Sequence, residues 1–350
     1  MKVGCFMNKK RVTMQDIADT CGLSRNTVSK VFNQRGSVKD STRELVLETA
    51  QALGYYVPNL SAASFSEPSG SSIALLTGNM PVNYHFAAYL FTSFTDQVSR
   101  AGYTLKIFEI TAEEMQEKRL PLHFITQETA GIICIELFDA DYLEMLCGLG
   151  IPTVSIDSTT DALSEIMHCD FVAMENIAGS TSLVRHLTDQ GIKEIGFVGD
   201  IKHCGSFYER WLGYIGGLDD AGLSLNKDCC ILEKDNLPYG DPDWLLQELN
   251  KLSVFPEAFI CANDYIALNL MTALKKKGLA IPDDVLIAGF DGIPQTAITD
   301  PPLTTVNIPG EYISNLTADM LIKRIKNPQL PFIWTRVKTT PEFRKSTEKQ

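Results

Sequence analysis

The chain has 350 residues, 45% of them hydrophobic, and a formal net charge of −12. Such a length and composition suit a globular chain of two or three domains, and no apolar run approaches the ~18–20 residues needed to cross a bilayer, which argues against a membrane partner. The charge is uneven: residues 1–66 hold nine Lys/Arg against five Asp/Glu, and the remainder holds 22 against 38. A small basic head on a large acidic body is compatible with a local nucleic-acid face on a chain that is acidic overall.

The opening "MKVGCFMNKKR" has no apolar stretch of signal-peptide length, and Met7 offers a second candidate start. Nine scattered cysteines with no CxxC spacing read as reduced thiols, so a cytoplasmic location is expected. His168-Cys169 and His203-Cys204 lack the spacing of a compact zinc site. Cys229-Cys230 reads either as a pair of strand-edge thiols or as a redox pair. No metal and no cofactor is expected.

In the first sixty residues Thr13 and Asp16 form a capping pair that starts a helix. Ile17, Ala18 and Cys21 follow on one side of it, and Gly22 ends it. Ser24 can cap a second helix, in which Val28, Val31 and Phe32 turn inward while Arg25, Asn26, Ser29, Lys30 and Asn33 share the opposite face. A third helix is predicted around 41–53, with Val46, Thr49, Ala50 and Leu53 inside. Two helices about a glycine turn, the second polar outside, match a helix-turn-helix. Arginine and asparagine can pair bidentately with guanine and adenine edges. Ser24, Thr27, Ser29 and Asn33 are short donors suited to phosphates. The same pattern also fits a solvated three-helix bundle that reads nothing.

The run from Thr13 to Asn59, with "DIA", "GLS", "TVSKVFN" and "ALGYYVPN", resembles the amino-terminal domain of the lactose-repressor (LacI) family. The resemblance implies that Arg25, Asn26 and Lys30 face bases and that Ser24, Thr27, Ser29 and Asn33 face phosphates. Lys39 departs from the family, which usually has a serine capping the third helix there. Asp40 still favours that helix's positive end.

A Ser/Gly/Pro-rich stretch, "SFSEPSGSS" at 64–72, precedes a change of pattern. Strands are predicted at "SIALLTG", "TLKIFEI", "GIICIE", "PTVSID", "EIGFVGD", "CILEKD", "AFICAND" and "VLIAGFD", with helices between them, for example over 86–101 and 265–277. This alternation indicates an α/β chain of two doubly wound parallel sheets, whose ligands bind beyond the carboxyl ends of strands. Asp157, the pair Asn263 and Asp264, and Asp291 close three of these strands, and Arg210 stands at the start of a helix. Carboxylates, an amide and a guanidinium in one cleft can recognise a polyhydroxyl ligand. Each aspartate could equally be a plain helix cap.

"ENIAG", "HLTDQG", "RWLGYIGGL", "FICANDYIAL", "IPDDVLIAGFDG" and "PPLTTVNIP" resemble the effector core of LacI-family repressors, which is similar to periplasmic sugar-binding proteins. The resemblance spans residues 11 to about 347. It implies a helix-turn-helix head over 11–57, a hinge over 58–71 and a two-subdomain, periplasmic-binding-protein-like core over 72–347. The chain is expected to cross between subdomains near 157–176, 307–310 and 331–333. By the same resemblance Asp157, Arg210, Asn263 and Asp291 hold the effector, and His85 of "NYHF" stacks on it. Tyr84 replaces the family's proline there, Ile192 replaces its usual histidine, and Tyr239 is the candidate for its further aromatic.

The implied function is that of a DNA-binding transcriptional repressor controlled by a small polar effector, a carbohydrate or a derivative of one. The implied partners are double-stranded operator DNA and a second copy of the chain, because one three-helix module covers only a half-site. No leucine heptads follow "PEFRKSTEKQ", which argues against a coiled-coil tetramer. Two other readings compete. A free-standing solute receptor would need a signal peptide and no helix-turn-helix. A sugar-acting enzyme using Asp157 and Asp291 would lack any GxxxxGK[ST], GxSxG or metal cluster.

In the family the hinge reads P-N-x-x-A-R-x-L, and its leucine wedges between base pairs in the minor groove. Here Pro58, Asn59 and Ala62 match, Ala63 replaces the arginine and Phe65 the leucine. Phenylalanine is an established type of wedge. Phe65→Ala is expected to weaken operator binding and reduce DNA bending while effector binding stays intact. Unchanged bending and affinity in a gel-shift phasing assay would make 58–71 a passive tether.

Overall fold

A computed structural model describes residues 13–32, 38–52, 71–78, 86–157, 159, 168–234 and 237–349. The expectations for Asn33, Leu53, the hinge residues 58–70 with Phe65, and His85 lie outside them. The chain divides into two compact units, Met1–Pro68 and Ser69–Gln350.

In the first unit three helices form: α1 (Met14–Cys21), α2 (Arg25–Phe32) and α3 (Asp40–Ala52). The capping box predicted at the start of α1 is present. Asp16 N–H donates to the Thr13 hydroxyl at 3.4 Å, and Thr13 N–H donates to the Asp16 carboxylate at 2.7 Å. Gly22 ends α1 at φ +65°, a left-handed conformation that glycine adopts without a Cβ clash. Ile17, Ala18, Val28, Val31, Phe32, Val46 and Ala50 close into one core. Lys39 does not prevent α3, since its carbonyl accepts the Thr42 and Arg43 N–H groups, each at 3.0 Å.

The second unit is an α/β core on two parallel sheets. The first sheet collects β1 (Ser72–Thr77), β2 (Thr104–Glu109), β3 (Thr129–Ile135), β4 (Thr153–Ile156), β5 (Asp170–Met174) and β10 (Trp334–Val337) in the order β10-β5-β4-β3-β1-β2. All five pairings are parallel. Successive residues of β1 serve opposite faces, both covered, which is why the strand is buried along its whole length and apolar from Ile73 to Leu76. Ile73 and Leu75 pack with Leu90, Phe94 and Val98 of α4 (Phe86–Arg100) and with Leu321 and Ile325 of α11 (Gly310–Lys326). Ala74 and Leu76 pack with Tyr142, Leu143 and Leu146 of α6 (Ala140–Gly148). A short helix, α5 (Ala112–Glu117), lies between β2 and β3 in sequence.

The second sheet is β6 (Ile195–Val198), β7 (Ala258–Cys261) and β8 (Leu286–Ala288), also parallel. Helices α7 (Ile177–Thr188), α8 (Gly205–Asp220), α9 (Pro242–Lys251) and α10 (Asp264–Lys276) accompany it. Helices α7 and α8 approach so closely that a Cβ on Gly213 would lie 2.3 Å from the Ile177 carbonyl oxygen. A short antiparallel pair, β9 (Thr305–Asn307) with β11 (Thr340–Glu342), completes the core.

Three details differ from the sequence expectation. "CILEKD" is not a strand; only Ile231 bridges to Val198, because charged residues follow at once. The first chain crossing is confined to Glu175–Asn176, since 170–174 is still a strand of the first sheet. The last crossing lies at Lys338–Thr339 rather than 331–333, because residues 334–337 first add β10 to that same sheet.

Arg324 secures this last passage. Its guanidinium meets Asp170 bidentately, at 2.9 and 2.7 Å, with both side chains almost fully buried. It also donates to the carbonyls of Leu330 and Pro331, which lead into β10. Arg324→Met leaves Asp170 buried without its counter-ion, so a loss of about 3–5 kcal/mol is expected. Urea unfolding of the full-length protein checks it, and a loss below ~1 kcal/mol would mean that β10 docks independently of this pair.

Candidate functional site

Two surfaces carry the residues singled out by the sequence, one in each unit. In the first unit the Ser24 hydroxyl caps α2, accepting the Thr27 N–H at 3.1 Å and meeting the Thr27 hydroxyl at 2.8 Å. Ser24, Arg25, Asn26 and Lys30 are exposed, and Thr27 and Ser29 are half-exposed. Of these, Arg25, Asn26, Ser29 and Lys30 lie on the side of α2 away from Val28, Val31 and Phe32, which are buried. Among the described residues neither Arg25 nor Lys30 has an ion-pair partner. Their charge is therefore available to an external anion.

In the second unit the strand ends surround a cavity of about 320 Å³. Asp157, Arg210, Asn263 and Asp291 all line it, so the four described effector candidates are brought together from β4, α8, β7 and β8. The Arg210 side chain is only 3% exposed. Its Nη1 pairs with Asp291 at 3.1 Å and donates to the Ala262 carbonyl at 2.7 Å. Its Nε donates to the Asn176 Oδ1 at 3.0 Å. The guanidinium lies 3.9 Å from the centroid of the Phe290 ring, a cation–π contact. Among the described residues its Nη2 has no hydrogen-bond partner.

Asn263 is both a cap and a lining residue. Its Oδ1 accepts the Ile266 N–H at 2.9 Å and starts α10. Asp157 stands at φ +59°, where its Oδ1 accepts the Ser206 N–H at 3.2 Å. The neighbour of Asn263, Asp264, has a different task. It is fully buried and accepts from Gly292 N–H at 2.7 Å, Ile293 N–H at 3.0 Å and the Thr305 hydroxyl at 2.7 Å. It thereby clamps the loop that presents Asp291. Burial pushes its carboxyl up to about 6, while these hydrogen bonds and nearby Arg210 pull the other way.

Several lining residues have no counterpart in the sequence expectations. Glu136 and Phe138 follow β3, and Glu136 stands at φ +50°. The rule that selected Asp157, a carboxylate closing a strand, would have selected Glu136 too. Phe138, His203 and Phe207 form an aromatic wall, the imidazole lying 4.9 and 4.8 Å from the two rings. Tyr239 is not part of it; it packs edge-on against Trp244 at 4.9 Å and donates to the Glu233 carbonyl. Behind the cavity Asn176 donates to Glu209 at 2.9 Å, and Arg336 pairs with Glu209. Only contact in space brings Asn176, Glu209 and Arg336 together, so spacing in the sequence carries no signal for them. Among the described residues no group of three or more His, Cys, Asp or Glu side chains is placed to hold a metal ion.

Comparison with known proteins finds a family model in each of the two units. A family model described as bacterial regulatory proteins, lacI family, matches residues 13–59, and one described as a periplasmic binding protein-like domain matches 184–347. The chain is 28% identical over 319 residues to the HTH-type transcriptional repressor PurR of Pasteurella multocida, covering 89% of this chain and 92% of that one. The solved structure of the transcriptional regulator CelR in complex with cellobiose is similar with a TM-score of 0.69 at 22% identity, covering 96% of this chain and 100% of that one. The lac repressor dimer bound to operator and an anti-inducer is similar with a TM-score of 0.68 at 23% identity, covering 97% and 99%. A regulatory helix-turn-helix and a periplasmic-binding-protein-like core thus occur in one chain, and these relatives align over most of its length: the protein belongs to the lacI family of bacterial regulatory proteins and is a DNA-binding transcriptional regulator.

Proposed function

We propose that the protein is a repressor that binds a palindromic operator as a homodimer and that a small polar ligand, a sugar or sugar derivative, sets its operator affinity. The observation that carries this reading is the composition of the cavity wall. Glu136, Asp157 and Met174 stand at the ends of β3, β4 and β5 of the first sheet, and Arg210, Asn263 and Asp291 stand on elements around the second sheet. A ligand touching both halves has a different affinity for each of their relative arrangements, and that difference is the free energy available for control. The relatives support the ligand class, since CelR is complexed with cellobiose and an Enterococcus faecium member of the family with ribose.

In this reading Arg25, Asn26 and Lys30 contact bases, and Ser24, Thr27, Ser29 and Asn33 contact phosphates. Phe65 is the minor-groove wedge. Asp157, Arg210, Asn263 and Asp291, with His85, contact the effector. The domains run over 11–57, 58–71 and 72–347. The protein acts in the cytoplasm and turns nothing over: the cavity residues bind rather than react.

Two outcomes are expected. Asn26→Ala relaxes preference at one base step of the operator, costing ~1–3 kcal/mol. Selection from a randomised duplex library checks this, and an unchanged preference removes Asn26 from base reading. Arg210→Ala abolishes the response to a sugar found by thermal-shift screening, while duplex affinity without that sugar is kept. Calorimetry and fluorescence anisotropy measure the two halves of the claim. Wild-type sugar affinity in the variant would place the effector elsewhere.

A further inference from the structure

Cys229 and Cys230 are neighbours in the chain, and the fold gives their sulfurs different surroundings. They end a single turn of 3-10 helix over Lys227–Cys229 and lead into Ile231, which bridges to Val198 of β6. β6 is an outer strand of the second sheet, so its outward backbone groups take their partners from this segment. Ile231 N–H donates to the Phe197 carbonyl and Gly199 N–H to the Ile231 carbonyl, each at 2.9 Å. Phe197 N–H donates instead to the Cys230 sulfur, at 3.3 Å. Gly196 permits this close approach, since a Cβ there would lie 2.2 Å from the Cys229 carbonyl oxygen.

The two sulfurs converge on one point. The Asn226 carbonyl oxygen lies 3.0 Å from Cys229 Sγ and 3.5 Å from Cys230 Sγ. Cys229 is fully buried, and its Sγ also donates to the Ile195 carbonyl at 3.4 Å; Cys230 is only partly buried. The Tyr214 hydroxyl of α8 stands 3.8 Å from Cys230 Sγ. These surroundings separate the two thiols in acidity. The hydrogen bond from Cys229, with those from Phe197 N–H and Tyr214 and the charge of Lys227, pulls the Cys230 thiol down to about 7 against the opposing effect of burial. The same hydrogen bond and burial push Cys229 up, and Glu194 adds to this. Cys204 and Cys261, the other two cysteines around the second sheet, are pushed up by complete burial. Cys230 is thus the accessible thiolate, with a protonated thiol held beside it.

We propose that Cys229 and Cys230 form a hydroperoxide-reactive modification site, in which the partly exposed Cys230 sulfur is oxidised first and the buried Cys229 sulfur resolves it as a disulfide between neighbours. The Cys230 thiolate attacks one peroxide oxygen and the O–O bond breaks. That oxygen stays on sulfur as a sulfenic acid, and the other leaves as hydroxide, which takes up a proton to become water. The Cys229 sulfur then attacks the Cys230 sulfur; the S–O bond breaks, the S–S bond forms, and the Cys229 proton leaves with the hydroxyl as a second water. The two thiols lose two electrons and the peroxide gains them. The product closes through the peptide bond that joins the two residues, so neither has to cross the fold to meet its partner.

Thiol mapping on the reduced full-length protein tests this. Trypsin releases both residues in one peptide, 228–234, which holds no other cysteine. Alkylation of Cys230 by iodoacetamide over a pH series is expected to have its midpoint at about 7, where an ordinary thiol has it at ~8.5. One equivalent of hydrogen peroxide is expected to lower the mass of this peptide by two hydrogens, and dithiothreitol to restore it. Cys229→Ser keeps a hydrogen-bond donor but lacks the resolving sulfur, so Cys230 is expected to stop at the sulfenic acid and to be trapped as its dimedone adduct. The proposal is overturned if Cys230 alkylates with the midpoint of an ordinary thiol, if peroxide oxidises Cys147 or any other cysteine before Cys230, if the wild-type peptide passes to sulfinic acid without a disulfide, or if folded Cys229→Ser yields no adduct. The alkylation and peroxide measurements use the unaltered chain and decide the matter whether or not the variant folds.

Discussion

A guanidinium taken out of water costs several kcal/mol unless its donors are satisfied and its charge is matched. Arg210 has its charge matched and its Nε and Nη1 donors satisfied because three separated pieces of chain converge on it. Asp291 supplies the counter-charge, Ala262 a carbonyl, Asn176 an amide oxygen and Phe290 a ring face. Asp291 and Phe290 lie after β8, Ala262 after β7 and Asn176 at the first chain crossing. Moving any one of them would leave a buried charge short of a partner. The geometry of the cavity is therefore held by the solvation requirement of one side chain.

The demand propagates outward. Asn176, fixed on one side by Arg210, donates on the other to Glu209, and Glu209 pairs with Arg336 of β10. Consecutive residues of α8 thus reach opposite ways. Arg210 holds the ends of the second sheet, and Glu209 holds the edge strand of the first. Buried ionic networks of this kind contribute little net stability compared with a well-packed apolar replacement, yet breaking one member is costly. Such a network suits a joint that must have definite arrangements rather than the greatest stability. Asp264 plays the matching part at the other wall, holding the Gly292–Ile293 backbone so that Asp291 meets Arg210.

The two units divide the electrostatic labour. The exposed face of α2 presents Arg25 and Lys30, which have no ion pair among the described residues, in a segment that is basic on balance. The core carries the acidic excess, and part of it lines the cavity. Phosphate contacts made by such a head release counterions and so weaken steeply with salt. The acidic core disfavours indiscriminate association with DNA over the rest of the surface.

What the sequence determined by itself was local. The Thr13–Asp16 box, Gly22, the Ser24 cap and the inward trio Val28, Val31 and Phe32 are all within one or two helical turns, so hydrogen-bonding and periodicity suffice to specify them. The alternation of apolar strands with amphipathic helices likewise specified parallel sheets, and the ends of those strands pointed to Asp157, Asn263 and Asp291. The tertiary structure decided everything that depends on distant partners. It made 334–337 a strand, because only the open edge of β5 gives that segment its hydrogen bonds. It turned Asp264 into a clamp while its neighbour Asn263 lines the cavity, a division that two adjacent polar residues do not reveal. It put Glu136 on the same wall as Asp157, and it joined Asn176, Glu209 and Arg336, residues 33 to 160 positions apart, because a buried charge takes its partners from wherever the fold delivers them.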